Sequence, residues 1–93
     1  MTTVFFSPAA ERDLKCLSGN TYEELRKIHI PRLAENSRSG KPLHGPLRGY
    51  FSYDFWSEAI SYRIAYEIIK NDVVILMIDT RDNFYKKFSR RVL

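Results

Sequence analysis

Apolar and polar residues alternate along residues 60–68, and this period of two predicts a β-strand with one apolar face. Arg63 falls on the opposite face of that strand. Residues 70–72 contain Asn and Asp, which tolerate the left-handed backbone of a tight turn. Residues 73–78 are a continuous apolar run, typical of a central strand covered on both faces. The pattern therefore predicts a central β-hairpin, and residues 79–82 bring a cluster of charge to one sheet edge.

Two helices are predicted before this hairpin from apolar residues at helical spacing. A short apolar strand at residues 4–6 leads into the first helix. Ser7 is its expected N-cap and Pro8 its first residue, a position where the missing N–H costs nothing. In the second helix, Pro31 removes a backbone donor and disfavours helix before it, so we expect a kink or break near His29.

The second half of the chain adds a loop, another strand and a last helix. Gly, Pro and Ser crowd residues 36–49, which predicts a connection across the surface. Residues 50–56 read as a strand, and residues 83–91 as a short basic helix with Phe84 and Phe88 buried. The order predicts an α+β fold, with two N-terminal helices packed on a small, mainly antiparallel four-stranded sheet and a short C-terminal helix.

Composition narrows the class of protein. A chain of 93 residues makes a single domain, spanning 1–93. The lone Cys16 excludes an internal disulfide and a multi-cysteine zinc site, and we expect no metal and no cofactor. No apolar run approaches the roughly 20 residues of a membrane span, and the N-terminus lacks a signal-peptide pattern. We therefore expect a cytoplasmic protein with no membrane partner.

The positive charge lies near the end of the chain. Residues 81–93 carry five basic residues against one acidic residue, which equals the whole net charge of +4. Such a segment favours a polyanion, including nucleic acid, or an acidic protein partner. A solvated helix face explains the charge equally well.

Four short motifs follow one another along the chain: Lys41-Pro42-Leu43, Leu47-Arg48-Gly49-Tyr50, Tyr62-Arg63-Ile64 with Tyr66, and Thr80-Arg81-Asp82 through Tyr85. In this order and spacing they resemble the RelE/ParE superfamily of bacterial toxins. The resemblance implies a toxin of a type II toxin–antitoxin module, held inactive by a cognate antitoxin. RelE-like members enter the ribosomal A site and cut messenger RNA, whereas ParE-like members inhibit DNA gyrase.

The resemblance also implies roles for individual side chains. Arg63 matches the arginine that RelE-like toxins place on this strand, and Arg81 the one just after the last strand; a guanidinium offers phosphate two parallel N–H bonds. Tyr85 resembles their C-terminal aromatic hydroxyl and would share a helix face with Arg81. His44 is the candidate general base, because its ordinary pKa is near neutrality. Further RNA contacts would come from Lys41, Arg48, Lys86, Lys87 and Arg90.

Each role has a plainer alternative. Arg63 would be a surface residue, Arg81 would pair with Asp79 or Asp82, Tyr85 would pack the last helix, and His44 would be an exposed loop residue. Tyr53 and Trp56 are candidates for base stacking, although we expect Trp56 to pack under the helices.

Three functions remain open. The favoured one is a metal-independent, ribosome-dependent mRNA endoribonuclease with antitoxin, ribosome and mRNA as partners. RelE proper has lysines on the strand before the hairpin, whereas residues 50–56 contain none. The missing lysines count against the nuclease and keep two alternatives open. These are a non-catalytic inhibitor of DNA gyrase and an inactive member that only binds antitoxin.

Overall fold

The computed structural model describes residues 2–93, which form a mixed sheet of five strands with helices on both faces. The elements in chain order are β1 (Val4–Phe6), α1 (Pro8–Leu14), α2 (Gly19–Glu24), α3 (Ile30–Glu35), β2 (Lys41–Pro42), β3 (Tyr50–Ser57), β4 (Ile60–Ile69), β5 (Asp72–Thr80) and α4 (Phe84–Val92). The strand order is β1-β5-β4-β3-β2, with β1 parallel to β5 and all other pairs antiparallel.

The α+β class and the central hairpin are confirmed, but the predicted four-stranded sheet is one strand short. The missed strand is β2, which lies inside the predicted loop at residues 36–49 and pairs with Phe51 and Ser52 of β3. A strand of two residues contains no period-two pattern, so only its partner reveals it.

Local signals fix the N-terminal helices. The hydroxyl of Ser7 accepts the backbone N–H of Ala10 at 3.1 Å, which caps α1 as predicted. Between α2 and α3 the helix continues through a π turn at Leu25–His29. Pro31 lacks the N–H that would continue the regular ladder, and Ile30 instead bonds to the carbonyl five residues earlier. The predicted kink near His29 is this π turn.

Two tight turns join the long strands. Glu58 and Ala59 connect β3 to β4, and Lys70 and Asn71 connect β4 to β5. All four residues have positive φ, between 50° and 71°. Two-residue turns of this kind match the twist of antiparallel strands and fix their register. Lys70 and Asn71 occupy the predicted turn.

The sheet has one closed face and one partly open face. The apolar residues of β4 pack against α1, α3 and the π turn between α2 and α3, as predicted from the alternation. On the other face, α4 inserts Phe84 and Phe88 against Ala65 and Met77. No helix within residues 2–93 packs across the rest of this face, and we call that part the open face. Strand alternation and register place five side chains on it: Asp54, Trp56, Ser61, Arg63 and Asp79.

An ion pair ties α1 to α4 at a β-bulge. Leu76 is the extra residue of β5, between the partners of Ala65 and Tyr66. Arg91 donates to the Leu76 carbonyl at 2.9 Å and to Asp13 at 2.7 Å, and Asp13 also accepts the N–H of Ile78 at 3.0 Å. The pair therefore gives hydrogen-bond partners to the carbonyl of the bulged Leu76 and to the N–H of Ile78. Within residues 2–93, no helix is both long and apolar enough to cross a bilayer.

Candidate functional site

Arg63 lies at the centre of the open face, in the middle of β4. The register places Asp54 of β3 on one side of it and Asp79 of β5 on the other. Its Nε donates to Asp54 Oδ1 at 2.7 Å and its Nη2 to Oδ2 at 3.2 Å. Only 11% of the Arg63 side chain is exposed, against 41% of Asp54. The carboxylate thus holds one edge of a nearly buried guanidinium.

The Asp54–Arg63 pair shifts the pKa of each partner in the direction that favours its charged form. The pKa of Asp54 lies below its ordinary value, mainly because Arg63 hydrogen-bonds the carboxylate; partial burial opposes this, and the positive charges of Arg63, Arg81 and Lys41 lower the pKa further. The pKa of Arg63 is raised, first by the hydrogen bond to Asp54. Both groups are therefore ionised at neutral pH.

Tyr85, in the first turn of α4, covers the guanidinium. Its ring centroid lies 4.7 Å from Arg63 Cζ, and the ring of Phe84 lies 5.9 Å from the same atom. The hydroxyl oxygens of Tyr85 and Ser52 are 3.3 Å apart, while 40% of Tyr85 remains exposed. Arg63 is thus held at its edge by a carboxylate and on its face by an aromatic ring.

Arg81 follows β5 and is exposed. Its backbone N–H bonds to the Ser61 carbonyl at 3.1 Å. The ion pairs found in the described chain, residues 2–93, do not include Arg81; Asp79 pairs instead with Lys87, at 3.2 Å. Because α4 begins only at Phe84, the predicted sharing of a helix face by Arg81 and Tyr85 is wrong.

A pocket of about 500 Å³ adjoins Tyr85. His44, which is exposed and precedes a short 3-10 turn at Gly45–Leu47, lines this pocket together with Lys41 and Tyr85. A smaller pocket of about 270 Å³ is lined by Lys41, Ser52 and Asp54, among others. The structure therefore brings His44, Lys41 and Tyr85 to one pocket, with Lys41 between that pocket and the Asp54–Arg63 pair.

The other predicted RNA-binding residues are spread more widely. Arg48, Lys86 and Arg90 are exposed and lie outside both pockets, and Lys87 is engaged with Asp79.

Tyr53 and Trp56 lie on opposite faces of β3. Tyr53 is buried, with its hydroxyl oxygen 2.8 Å from Nδ1 of His29, so it is not a surface for base stacking. Trp56 is 66% exposed, and the expectation that it packs under the helices is wrong. It lies two residues after Asp54 on β3, so both side chains point to the open face. His29 is buried and its Nε2 also lies 3.2 Å from a carboxylate oxygen of Glu24.

Sequence reasoning misses Asp54 and Ser52 as members of this site. A usable signal was present, because a two-residue turn at Glu58 and Ala59 requires residues 54 and 63 to face each other across the hairpin.

Comparisons with known proteins agree on a family and a fold. A family model described as "ParE-like toxin of type II bacterial toxin-antitoxin system" matches residues 4–89. Among solved structures, the chain is similar to the toxin–antitoxin complex RelBE2 from Mycobacterium tuberculosis, with 34% sequence identity, a TM-score of 0.75, and coverage of 86% of this chain and 98% of that chain.

Two further similarities, at low identity, concern the fold alone. A mutant of the Escherichia coli toxin RelE in the free state has 18% identity and a TM-score of 0.75, covering 99% of this chain and 98% of that chain. YafQ from Escherichia coli has 14% identity and a TM-score of 0.60, covering 91% and 99%. A search of curated proteins found no match.

Proposed function

Because the chain belongs to the ParE-like toxins of type II bacterial toxin–antitoxin systems, we propose that it cuts messenger RNA on the ribosome and is held inactive by a cognate antitoxin. The antitoxin partner is supported by the 34%-identical M. tuberculosis relative, which was solved as a toxin–antitoxin complex. The endoribonuclease activity is supported by one observation, the pre-positioned guanidinium of Arg63 beside Tyr85.

Arg63 retains the donors that a phosphate needs. A guanidinium has five N–H groups. Asp54 takes one from Nε and one from Nη2, and the described residues show no hydrogen bond from the other three. The side chain is already ordered between Asp54 and Tyr85, so little further ordering is required when phosphate binds. Three charge-assisted donors at a phosphate stabilise the charge that develops on its equatorial oxygens.

The cleavage step needs a proton acceptor and a proton donor. In the proposed reaction, neutral His44 takes the proton of the 2′-hydroxyl, whose oxygen then bonds to phosphorus. The bond from phosphorus to the 5′-oxygen breaks, and Tyr85 gives its hydroxyl proton to that oxygen. The products are a 2′,3′-cyclic phosphate and a 5′-hydroxyl. Arg63 and Arg81 stabilise the intermediate phosphorane, and no step calls for a metal or cofactor.

Position and exposure support these roles. His44 and Tyr85 line the same pocket, so one nucleotide can meet both. Arg81 is exposed at the edge of the open face, and its positive charge contributes to the lowered pKa of Asp54. Lys41, Arg48, Lys86 and Arg90 are exposed cations that would contact neighbouring phosphates or ribosomal RNA, while Lys87 would first have to leave Asp79.

Inhibition of DNA gyrase is the second candidate. Asp54 neutralises the central Arg63, and β3 contributes no lysine to the open face. A surface that only binds a protein requires neither free charge nor a proton donor, so these two observations favour it.

Purified protein added to programmed ribosomes, with messenger 5′ ends mapped by primer extension, tests the proposal. We expect cuts at A-site codons, with cleavage reduced about 10²- to 10³-fold in Arg81→Ala and in Arg63→Ala. Arg12→Ala, which removes an exposed arginine from α1, should cut like the wild type. Both active-site variants should also relieve growth arrest and still bind antitoxin. Intact messenger with wild-type protein refutes the nuclease, and inhibition of supercoiling in a gyrase assay would then support the second candidate.

A further inference from the structure

Trp56 is a large apolar group with no role in the cleavage step above. It is the only tryptophan of the chain and, at 66%, far more exposed than its strand neighbours Phe55 and Ser57, which are buried. It lies on the open face, on the same side of β3 as Asp54. A single exposed apolar residue is common on protein surfaces, so its surroundings decide whether it has a function.

Ser61 supplies a second, independent observation. It is the direct cross-strand partner of Trp56. Its hydroxyl is the one buried side-chain polar atom without a hydrogen-bond partner in the described residues 2–93. Buried hydroxyls are nearly always paired, so this one has hydrogen-bonding capacity left for a group that packs beside the exposed indole.

The surrounding charge indicates the chemistry of that ligand. Arg81 leaves β5 beside Ser61, through the 3.1 Å bond between its N–H and the Ser61 carbonyl. Arg63 is the diagonal neighbour of Trp56 across the β3–β4 pair, and such neighbours are about 7–8 Å apart. An aromatic platform flanked by guanidinium groups is the arrangement that binds single-stranded RNA, with bases stacked on rings and phosphates on cations.

We propose that Trp56, Ser61 and Arg81 form a subsite for an unpaired nucleobase next to the cleaved phosphate. The indole stacks on the base, the Ser61 hydroxyl bonds to its polar edge or its ribose, and Arg81 holds the adjoining phosphate. This subsite rests on the proposed endoribonuclease function. It gives the substrate a second point of contact at Trp56, diagonally across the β3–β4 pair from Arg63.

Trp56 is its own reporter, because all tryptophan fluorescence of the protein comes from the subsite. The protein is titrated at low ionic strength with a short single-stranded RNA made uncleavable by 2′-O-methylation. A strand of the same length without bases serves as the matched control. We expect saturable quenching by the RNA and little by the abasic strand, since stacking needs a base. Equal quenching by both strands overturns the proposal.

Variants test the subsite without relying on fluorescence. Trp56→Ala should weaken RNA binding about tenfold or more, measured with a labelled RNA, while Trp56→Phe retains most of the affinity. Ser61→Ala should weaken it by a smaller factor. The exposed position means that both Trp56 variants should unfold at the wild-type temperature. Unchanged RNA affinity in Trp56→Ala overturns the proposal. If Trp56→Ala instead loses antitoxin binding while RNA binding stays intact, the surface is a protein contact and the proposal is also overturned.

The outcomes also separate this subsite from the nuclease. Ribosome-dependent cleavage that is unaffected in Trp56→Ala, without base-dependent quenching, leaves the nuclease standing and removes the subsite. Base-dependent quenching in a wild-type protein that cuts no messenger keeps the subsite and removes the nuclease.

Discussion

The Asp54–Arg63 pair makes a prediction for stability as well as activity. Asp54→Asn keeps the shape of the side chain but removes its charge and can turn an N–H donor towards Nη2 of Arg63. Exposed ion pairs contribute about 0–1 kcal/mol, whereas breaking a buried pair costs about 3–5 kcal/mol. With Arg63 nearly buried and Asp54 two-fifths exposed, solvent screening places the expected loss in unfolding free energy near 1–2 kcal/mol. For a domain of this size, that lowers Tm by about 4–16 °C.

The same pair predicts how the loss depends on pH. Arg63 lowers the pKa of Asp54 in the folded state, relative to about 3.9 in an unfolded chain. A depressed carboxyl pKa contributes stability that is fully present above the unfolded value and is lost as pH falls through the folded value. The difference in stability between wild type and Asp54→Asn should therefore be constant around neutral pH and shrink below about pH 4.

Urea unfolding followed by circular dichroism, at pH 7 and at pH 3, measures both quantities. Glu23→Gln is the matched control, because it removes a carboxylate from exposed ion pairs with Arg26 and Lys27; it should change the unfolding midpoint little. Equal midpoints for wild type and Asp54→Asn at pH 7 would refute the energetic role of the pair. A difference that persists unchanged in acid would show that the lost charge is not its cause.

Two predictions concern backbone geometry. Ala59 adopts φ 63° in the β3–β4 turn, so Ala59→Gly should increase the unfolding free energy by about 0.5–1 kcal/mol and raise the urea midpoint, whereas Ala34→Gly inside α3 should decrease the unfolding free energy by about 1 kcal/mol and lower the midpoint. A Cβ at Gly40 would lie 2.5 Å from the carbonyl oxygen of Ser52, so Gly40→Ala should cost about 1–3 kcal/mol, measured in the same assay. Gly19→Ala, which meets open space, is its control; an unchanged midpoint for Gly40→Ala would contradict the described β2–β3 edge.

Much of the fold follows from signals within a few residues. The Ser7–Pro8 cap, the kink before Pro31 and the turn at Lys70 and Asn71 are local, and each was predicted from the sequence. The strand β2 was not, because its two residues form a strand only through the partner that β3 supplies.

The site was predictable to the same degree. Strand alternation alone puts Arg63 on the face opposite the apolar residues of β4, and the structure agrees. The pairing of Arg63 with Asp54, and the exposure of Trp56, depend on cross-strand register and on how much of the sheet α4 covers. Asn83 adopts a left-handed conformation before α4, which starts the helix too late to include Arg81. The turn at Glu58 and Ala59 carries a local signal for the register, whereas the exposure of Trp56 depends on tertiary packing that no local pattern records.

The parallel pairing of β1 with β5 imposes an order in time. Val4 pairs with Val73, so the two strands are separated by 69 residues. At a synthesis rate of about 5–20 residues per second, β1 waits roughly 3–14 s for its partner to be made. The helices that follow β1 also lack their sheet until β4 and β5 have been made, since their apolar sides pack against these strands. Closing this long-range contact, rather than forming the local hairpins, is therefore the step expected to limit folding.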